Sequence, residues 1–293
     1  MNTIADKEFE GERPLYASRG LRICRVMVHE GESALKESAD VEAEDCVFEG
    51  RYPFWCCSGA RISNSRFTED SRAPLWYSSD ISMEGCEVLA PKILRELDRV
   101  KLARCTFPKA VETLWCCRGV ELEDCSFKGA DYLFLRCSDV YIKGLDLKGK
   151  YTFQYCRNVE IHDSVLDTKD AFWEADNVTI YDSVVKGEYL GWYSRGLRLV
   201  RCRIGGTQPL CYARGLVLED CVMEPDADLA FEYSEVEAVI SSPVTSVKNP
   251  LTGHIKAASY GEIIIDENLK APGDCVIGLL HADNEVAENS VGL

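Results

Sequence analysis

Acidic residues able to give and take protons recur along this chain, and Glu112, Asp170, Glu174 and Glu188 are the candidates for acid–base work. Arg95 and Lys169 stand near them in sequence register and suit anionic groups. If Asp170 and Glu188 lie in adjacent turns of a repetitive fold, about 5–6 Å separates them, near the spacing of paired glycosidase carboxylates. The chemistry would then be glycan hydrolysis, elimination or isomerisation. The same residues allow a plainer outcome, because Lys150, Lys169 and Glu188 fall in one row and would form surface ion pairs.

Aromatic residues share that setting. All five tryptophans, Trp55, Trp76, Trp115, Trp173 and Trp192, occupy one register of a repeat, together with Lys36, Arg95 and Gln154. The next position carries Tyr77, Tyr155, Tyr193 and Tyr212. Polar and charged members of the Trp column predict that it faces outward, and contiguous exposed aromatic area marks a binding surface. Flat rings between carboxylates and cations suit a saccharide, whose C–H face lies on a ring while its hydroxyls find polar groups. A carbohydrate ligand is therefore the first expectation. The alternative is a non-catalytic scaffold whose Trp face docks a protein partner or a second copy, giving a homo-oligomer.

Fifteen cysteines, including the pairs Cys56–Cys57 and Cys116–Cys117, raise the question of a metal or redox site. A zinc site needs four N or S ligands in tetrahedral array. Here the four histidines are scattered, and the column of Cys56 and Cys116 is shared with Glu37, Glu96, Arg136 and Tyr77. No metal and no cofactor is expected.

The repeat explains most of the cysteines. An apolar residue follows a two-residue turn at Leu21, Val41, Ala60, Ile81, Val100, Val120, Val140, Val159, Val178, Leu197 and Leu216, at intervals of 19 to 21 residues. Two positions on comes a second apolar residue, and seven on a third, such as Phe48, Phe67, Phe107 and Phe127. Alternation with period two, broken by Gly, Asp, Asn and Ser, means short strands. Each repeat is too short to bury its own apolar side, so neighbours must stack. The fold predicted is all-β, a right-handed parallel β-helix of about 11–12 coils with three short strands per coil, forming a rod of roughly 50 Å. Five positions after the anchor stand Cys46, Cys86, Cys105, Cys125, Cys202 and Cys221; three before it stand Cys57, Cys117, Cys137 and Cys156. The rest of both columns is mostly Ser and Ala, so these ten thiols are read as small inward-facing packing groups.

The repeats fill residues 14–234 of a single domain, with 1–13 as an N-terminal cap, 235–280 as a last coil and C-terminal cap, and 281–293 as a polar tail. A net charge of −16 argues against nucleic acid, which needs clustered Lys and Arg. The absence of a long apolar run argues against a membrane span, and the start shows no apolar export segment. Fifteen cysteines without an export signal predict reduced thiols in the cytoplasm.

The strings "GERPLY", "GESALKES", "RAPLWY", "ETLWCC", "KDAFWEADNVTIYDS", "GEYLGWYS" and "SVKNPLTGHIKAASYGEIIID" resemble an uncharacterised bacterial family, a domain of unknown function with a pectin-lyase-like β-helix. The resemblance spans nearly the whole chain and implies the fold. It brings no activity with it. The Asp-Asp pair, the Gly-His-Gly and the aspartate cluster of pectate-lyase and polygalacturonase relatives have no counterpart here.

Overall fold

The computed structural model of the protein describes residues 1–266 and 274–280. The alternating residues of each repeat form six-residue strands such as Arg118–Glu123 and Asp176–Tyr181, whose apolar members point inward. These strands stack in parallel with the anchors in register: Leu21 on Val41, Val100 on Val120, Val120 on Val140 and Val178 on Leu197. The result is a right-handed parallel β-solenoid of about 14 turns, with no helix among the described residues. The ladder continues past both ends of the counted repeats. The stretch 1–13 supplies strands Asn2–Ala5 and Glu8–Glu12, which pair with the first repeat coil. At the far end, the long strands Glu235–Lys248 and Thr252–Ile264 and the short Val276–Leu279 extend the first sheet. The stretch 281–293 lies outside the described residues.

The second sheet is organised by the residue seven after the anchor. Phe48 pairs with Phe67, and Phe107 with Phe127, with the latter rings stacked 4.2 Å apart and 5° from parallel. A further file of rings, Phe134, Phe153 and Phe172, stacks inside the third side at 4.5 and 4.8 Å. All these phenylalanines are fully buried. The third side is strand-like at Phe54–Trp55 and Leu75–Trp76, continues as single bridges through Arg95 to Trp115, and elsewhere consists of stacked turns.

A coil this short must turn sharply at its corners, and left-handed residues do the turning. Asp40, Asp80, Arg99, Asp139, Asn158 and Asn177 precede successive anchors with φ between 53° and 60°. Asn and Asp tolerate this region better than other non-glycine residues. Their side chains also run along the corner: Asn177 donates to Asn158 and Asn158 to Asp139, each at 2.9 Å. The inward corners hold the Cys and Ser columns. All ten repeat-column thiols are buried. Their neighbours show why Cys and Ser interchange, since Ser65 Oγ accepts from the Cys46 amide at 3.0 Å and Cys57 Sγ donates to the Leu35 carbonyl at 3.0 Å. Both types are small and can satisfy a corner backbone group, which Ala cannot.

Within the eleven counted repeats, differences in coil length fall between the second-sheet row and the next corner; in the coil that follows them the register also shifts between Leu218 and Cys221. Three residues separate Phe48 from the left-handed Tyr52, whereas five separate Phe67 from Ala73. Glycines stand in this segment where the backbones approach closely: a Cβ on Gly31 would lie 2.0 Å from the Gly11 carbonyl oxygen, one on Gly187 2.2 Å from that of Thr168, and one on Gly206 2.3 Å from that of Gly187.

Candidate functional site

The Trp column lies on the third side, one residue after the buried Leu/Phe file and one before a left-handed corner that carries Cys56, Tyr77, Cys116, Tyr155, Glu174, Tyr193 and Tyr212. Its indoles are therefore half-buried, while Tyr77, Tyr155 and Tyr193 are exposed and Tyr212 is half-buried. Cys56 and Cys116 are exposed at the same corner, and no group of metal-ligating side chains occurs among the described residues.

Three indoles are fixed in the same way. The N–H of Trp76 donates to the Lys92 carbonyl at 2.6 Å, that of Trp115 to Tyr132 at 2.6 Å, and that of Trp192 to Gln208 at 2.8 Å. Each acceptor is the left-handed corner residue of the following coil, so the ring edge ties two coils together. What remains towards solvent is apolar ring surface.

The aromatic residues gather in two clusters. In the first, Trp55 meets Trp76 at 5.4 Å, and Arg95 is sandwiched with its guanidinium carbon 4.4 Å from the ring centroids of both Trp76 and Trp115. Glu112 is not free for proton transfer here, because its Oε2 lies 3.1 Å from Lys92 Nζ and 3.4 Å from Arg95 Nη2. The buried Nε of Arg95 has no hydrogen-bond partner among the described residues.

In the second cluster six rings are continuous. Trp173 meets Trp192 at 5.7 Å and Tyr193 at 5.4 Å, Tyr189 meets Trp192 edge-on at 5.1 Å, and Tyr193, Tyr212 and Tyr233 stack at 4.9 and 5.5 Å. Lys169 Nζ lies 2.6 Å from Glu188 Oε2 and 5.0 Å from the centre of the Tyr189 ring. Asp170 and Glu188 are neighbours across coils, the Asp170 amide donating to the Glu188 carbonyl at 2.8 Å. Their side chains differ in kind: Glu188 is exposed and ion-paired, whereas Asp170 is 7% exposed. Burial pushes the Asp170 carboxyl above the usual carboxylate range, the Lys169 charge pulls it back, and Glu188 adds to the rise.

The four candidate carboxylates are thus not assembled into one site. Glu112 belongs to the first cluster, Asp170 and Glu188 to the second, and Glu174 stands exposed at a corner, its carboxylate without an ion-pair or hydrogen-bond partner among the described residues.

Residues 2–278 match the family described as "Protein of unknown function (DUF3737)". The chain belongs to this family. No curated protein matches the DUF3737 chain. Among solved structures it is similar to the Streptococcus pneumoniae surface protein and adhesin PfbA, at 8% identity and a TM-score of 0.44, covering 95% of this chain and 92% of that one. It is also similar to the tailspike protein of E. coli bacteriophage HK620, at 10% identity and a TM-score of 0.41, covering 88% of this chain and 62% of the tailspike. No residue role is carried across from either.

One aromatic group of the DUF3737 chain escapes the column reading. On the outer face of the first sheet, Tyr141 lies 5.6 Å from His162, and His162 stacks on Tyr181 at 4.7 Å. His162 Nε2 lies 2.7 Å from Glu160 Oε1, and a depression of about 450 Å³ beside Tyr141 is lined by Lys101, Glu121 and Lys143. Tyr141 stands one position after its anchor, and His162 and Tyr181 three after theirs, so these rings occupy two different columns of the same sheet face.

Proposed function

We propose that this is a saccharide-binding β-helix protein that works by binding rather than turnover, taking an extended glycan along its Trp- and Tyr-lined third side. The observation that carries the reading is the six-ring cluster from Trp173 to Tyr233, held rigid by contact between coils. The indole N–H of Trp192 is already bonded within the solenoid, so the ring offers C–H and π surface to a ligand, and the tyrosines beside it offer hydroxyls. Rings fixed in advance lose little freedom on binding. The ion pairs that hold Glu112 and Glu188 count against a proton-transfer role for either. All fifteen cysteines are free, which supports a reducing, cytoplasmic setting.

A second reading draws on the stacking itself. Trp55 lies against Trp76, and Trp173 against Trp192, so part of each indole face is covered by its neighbour, and a protein partner or second copy could seal the remainder. Intrinsic Trp fluorescence titrated with neutral, acidic and amino oligosaccharides separates the two. A saturable shift that disappears in Trp173→Ala and Trp192→Ala supports the saccharide reading. A flat response, with tryptophans shielded from quencher in a dimer, overturns it in favour of the scaffold.

A further inference from the structure

His29 is held by two carboxylates from different coils. Its Nε2 lies 3.1 Å from Glu8 Oε2, in the coil before, and its Nδ1 lies 3.1 Å from Glu49 Oε2, in the coil after. Both ring nitrogens therefore face an acceptor. A neutral imidazole carries one N–H and can satisfy one of them, whereas the imidazolium donates to both. Neither Glu8 nor Glu49 has another ion-pair partner among the described residues. The bond to Glu8, followed by that to Glu49, raises the His29 pKa above the ordinary histidine value.

The place of this bridge gives it a role. Farther along the rod, the same position, eight after the anchor, carries Lys148, Asp167 and Lys186, with Asp167 3.8 and 3.6 Å from the two ammonium groups. A lysine bridge of that kind does not respond to pH near neutrality. His29 stands instead against the outermost coil, where strand Glu8–Glu12 has one ladder neighbour, Met27–Glu32, among the described residues. The ladder is irregular just there, its register shifting between Phe9 and Gly11 where His29 and Glu30 oppose Glu10. Side chains tie the first coil to the second at Asp6–Arg25, 2.7 Å, on the first sheet and at Glu8–His29 on the second.

The other charges at this end are Lys7 and Glu10 on the first coil, Glu30 and Glu32 on the strand of His29, and Arg51, Arg66 and Asp70 beyond Glu49. Arg51 is paired with Glu32 at 3.7 Å and Arg66 with Glu87 at 3.0 Å. Histidine is the one residue type among them that ordinarily titrates near neutrality.

We propose that His29 is a proton-controlled clasp for the N-terminal coil: charged, it joins Glu8 to Glu49 and keeps strand Glu8–Glu12 in the ladder; neutral, it releases one carboxylate and lets that strand open. Because the folded-state pKa is raised, the clasp is fully closed below the unfolded-state value and is lost as pH rises through the folded one. Exposed ion pairs add little to global stability, but an end strand opens at small cost, so a modest interaction governs its opening. Opening uncovers the backbone edge of Met27–Glu32, which can pair with another chain. The proposal is independent of the saccharide reading.

Hydrogen exchange of the full-length protein at about pH 5.5 and about pH 8.5, on either side of the histidine range and corrected for intrinsic rates, tests it. The reporters are the Met27 amide, bonded to the Lys7 carbonyl at 3.0 Å, and the Arg13 amide, bonded to that of Glu32 at 2.9 Å. The Thr106 and Ser126 amides, bonded to Cys86 and Cys105 in the middle of the rod, are the controls. In the native protein the reporters should lose protection severalfold at the higher pH while the controls hold. His29→Gln, which cannot become a cation, should leave the reporters weakly protected at both values. Glu49→Gln, which alters neither the first coil nor the ring, should shrink the step. Native reporters indifferent to pH, or a step of native size in either variant, would overturn the proposal.

Discussion

The indole N–H of Trp115 donates to the backbone carbonyl of Tyr132, in the coil that follows, at 2.6 Å. Trp55 and Trp173 form no such bond to protein among the described residues, although they occupy the same column. Replacing the ring by phenylalanine keeps most of the apolar surface and removes the donor. Trp115→Phe should therefore lose about 1 kcal/mol more stability than Trp55→Phe, the net worth of an intramolecular hydrogen bond. Urea unfolding of the two variants against the parent measures the difference, and equal losses would mean that the bond to Tyr132 contributes nothing.

Asp170 makes stability depend on pH in an uncommon direction for an acid. Because burial raises its folded-state pKa, the native chain holds the proton more tightly than the unfolded chain. Stability from this group is then fullest below the unfolded pKa and is lost as pH rises through the folded one. Asp170→Asn should stabilise the protein at neutral pH and change little well below the ordinary carboxylate range. A variant less stable than the parent at neutral pH would show that the carboxylate is well solvated or paired.

Burial sorts the thiols by reactivity. It pushes Cys57, Cys211 and Cys221 up to about 12, so they hold their protons at any working pH. Cys56 and Cys116 are exposed. A maleimide added to the native protein should label these two in a fast phase that Cys56→Ser together with Cys116→Ser abolishes, while denaturation opens all fifteen. Rapid native labelling of Cys57 or Cys221 would contradict the packing assignment.

Gly187 has φ 137° and faces the Thr168 carbonyl where a Cβ would sit at 2.2 Å. Gly187→Ala should cost about 1–3 kcal/mol through backbone strain and displacement of the adjoining coil. Thermal unfolding reads it directly. A neutral result would mean that coils can separate here without penalty.

The register of the solenoid was legible because the anchors repeat at nearly constant intervals: Val100, Val120 and Val140 stack as their spacing requires, and the phenylalanines seven positions on follow them. Cys86, Cys105 and Cys125 were legible as packing for the same reason, each falling in a column otherwise filled by small residues. The third side was less so. Its course depends on left-handed residues such as Glu112, Phe134 and Tyr155, types that carry no turn signal of their own. The bond from Trp192 to Gln208 crosses coils and leaves no trace in either column. Nor does composition distinguish Asp170, at a left-handed corner, from Glu188, one position before one, although the first is buried and the second exposed. The Tyr141–His162–Tyr181 group was hidden by the column view itself, since a sheet face merges two columns that a periodic reading keeps apart.

Length differences confined to the segment between Phe67 and Ala73 and its equivalents have an evolutionary consequence. The rest of each of the eleven repeat coils presents the same edges to whatever lies on either side, so a whole repeat coil can be duplicated or lost without disturbing the pairing of the others. The chain behaves as a ruler whose graduations are interchangeable. Descendants of one ancestral coil could lengthen the aromatic side by a rung at a time, changing how long a ligand it spans while leaving the way each rung makes contact untouched.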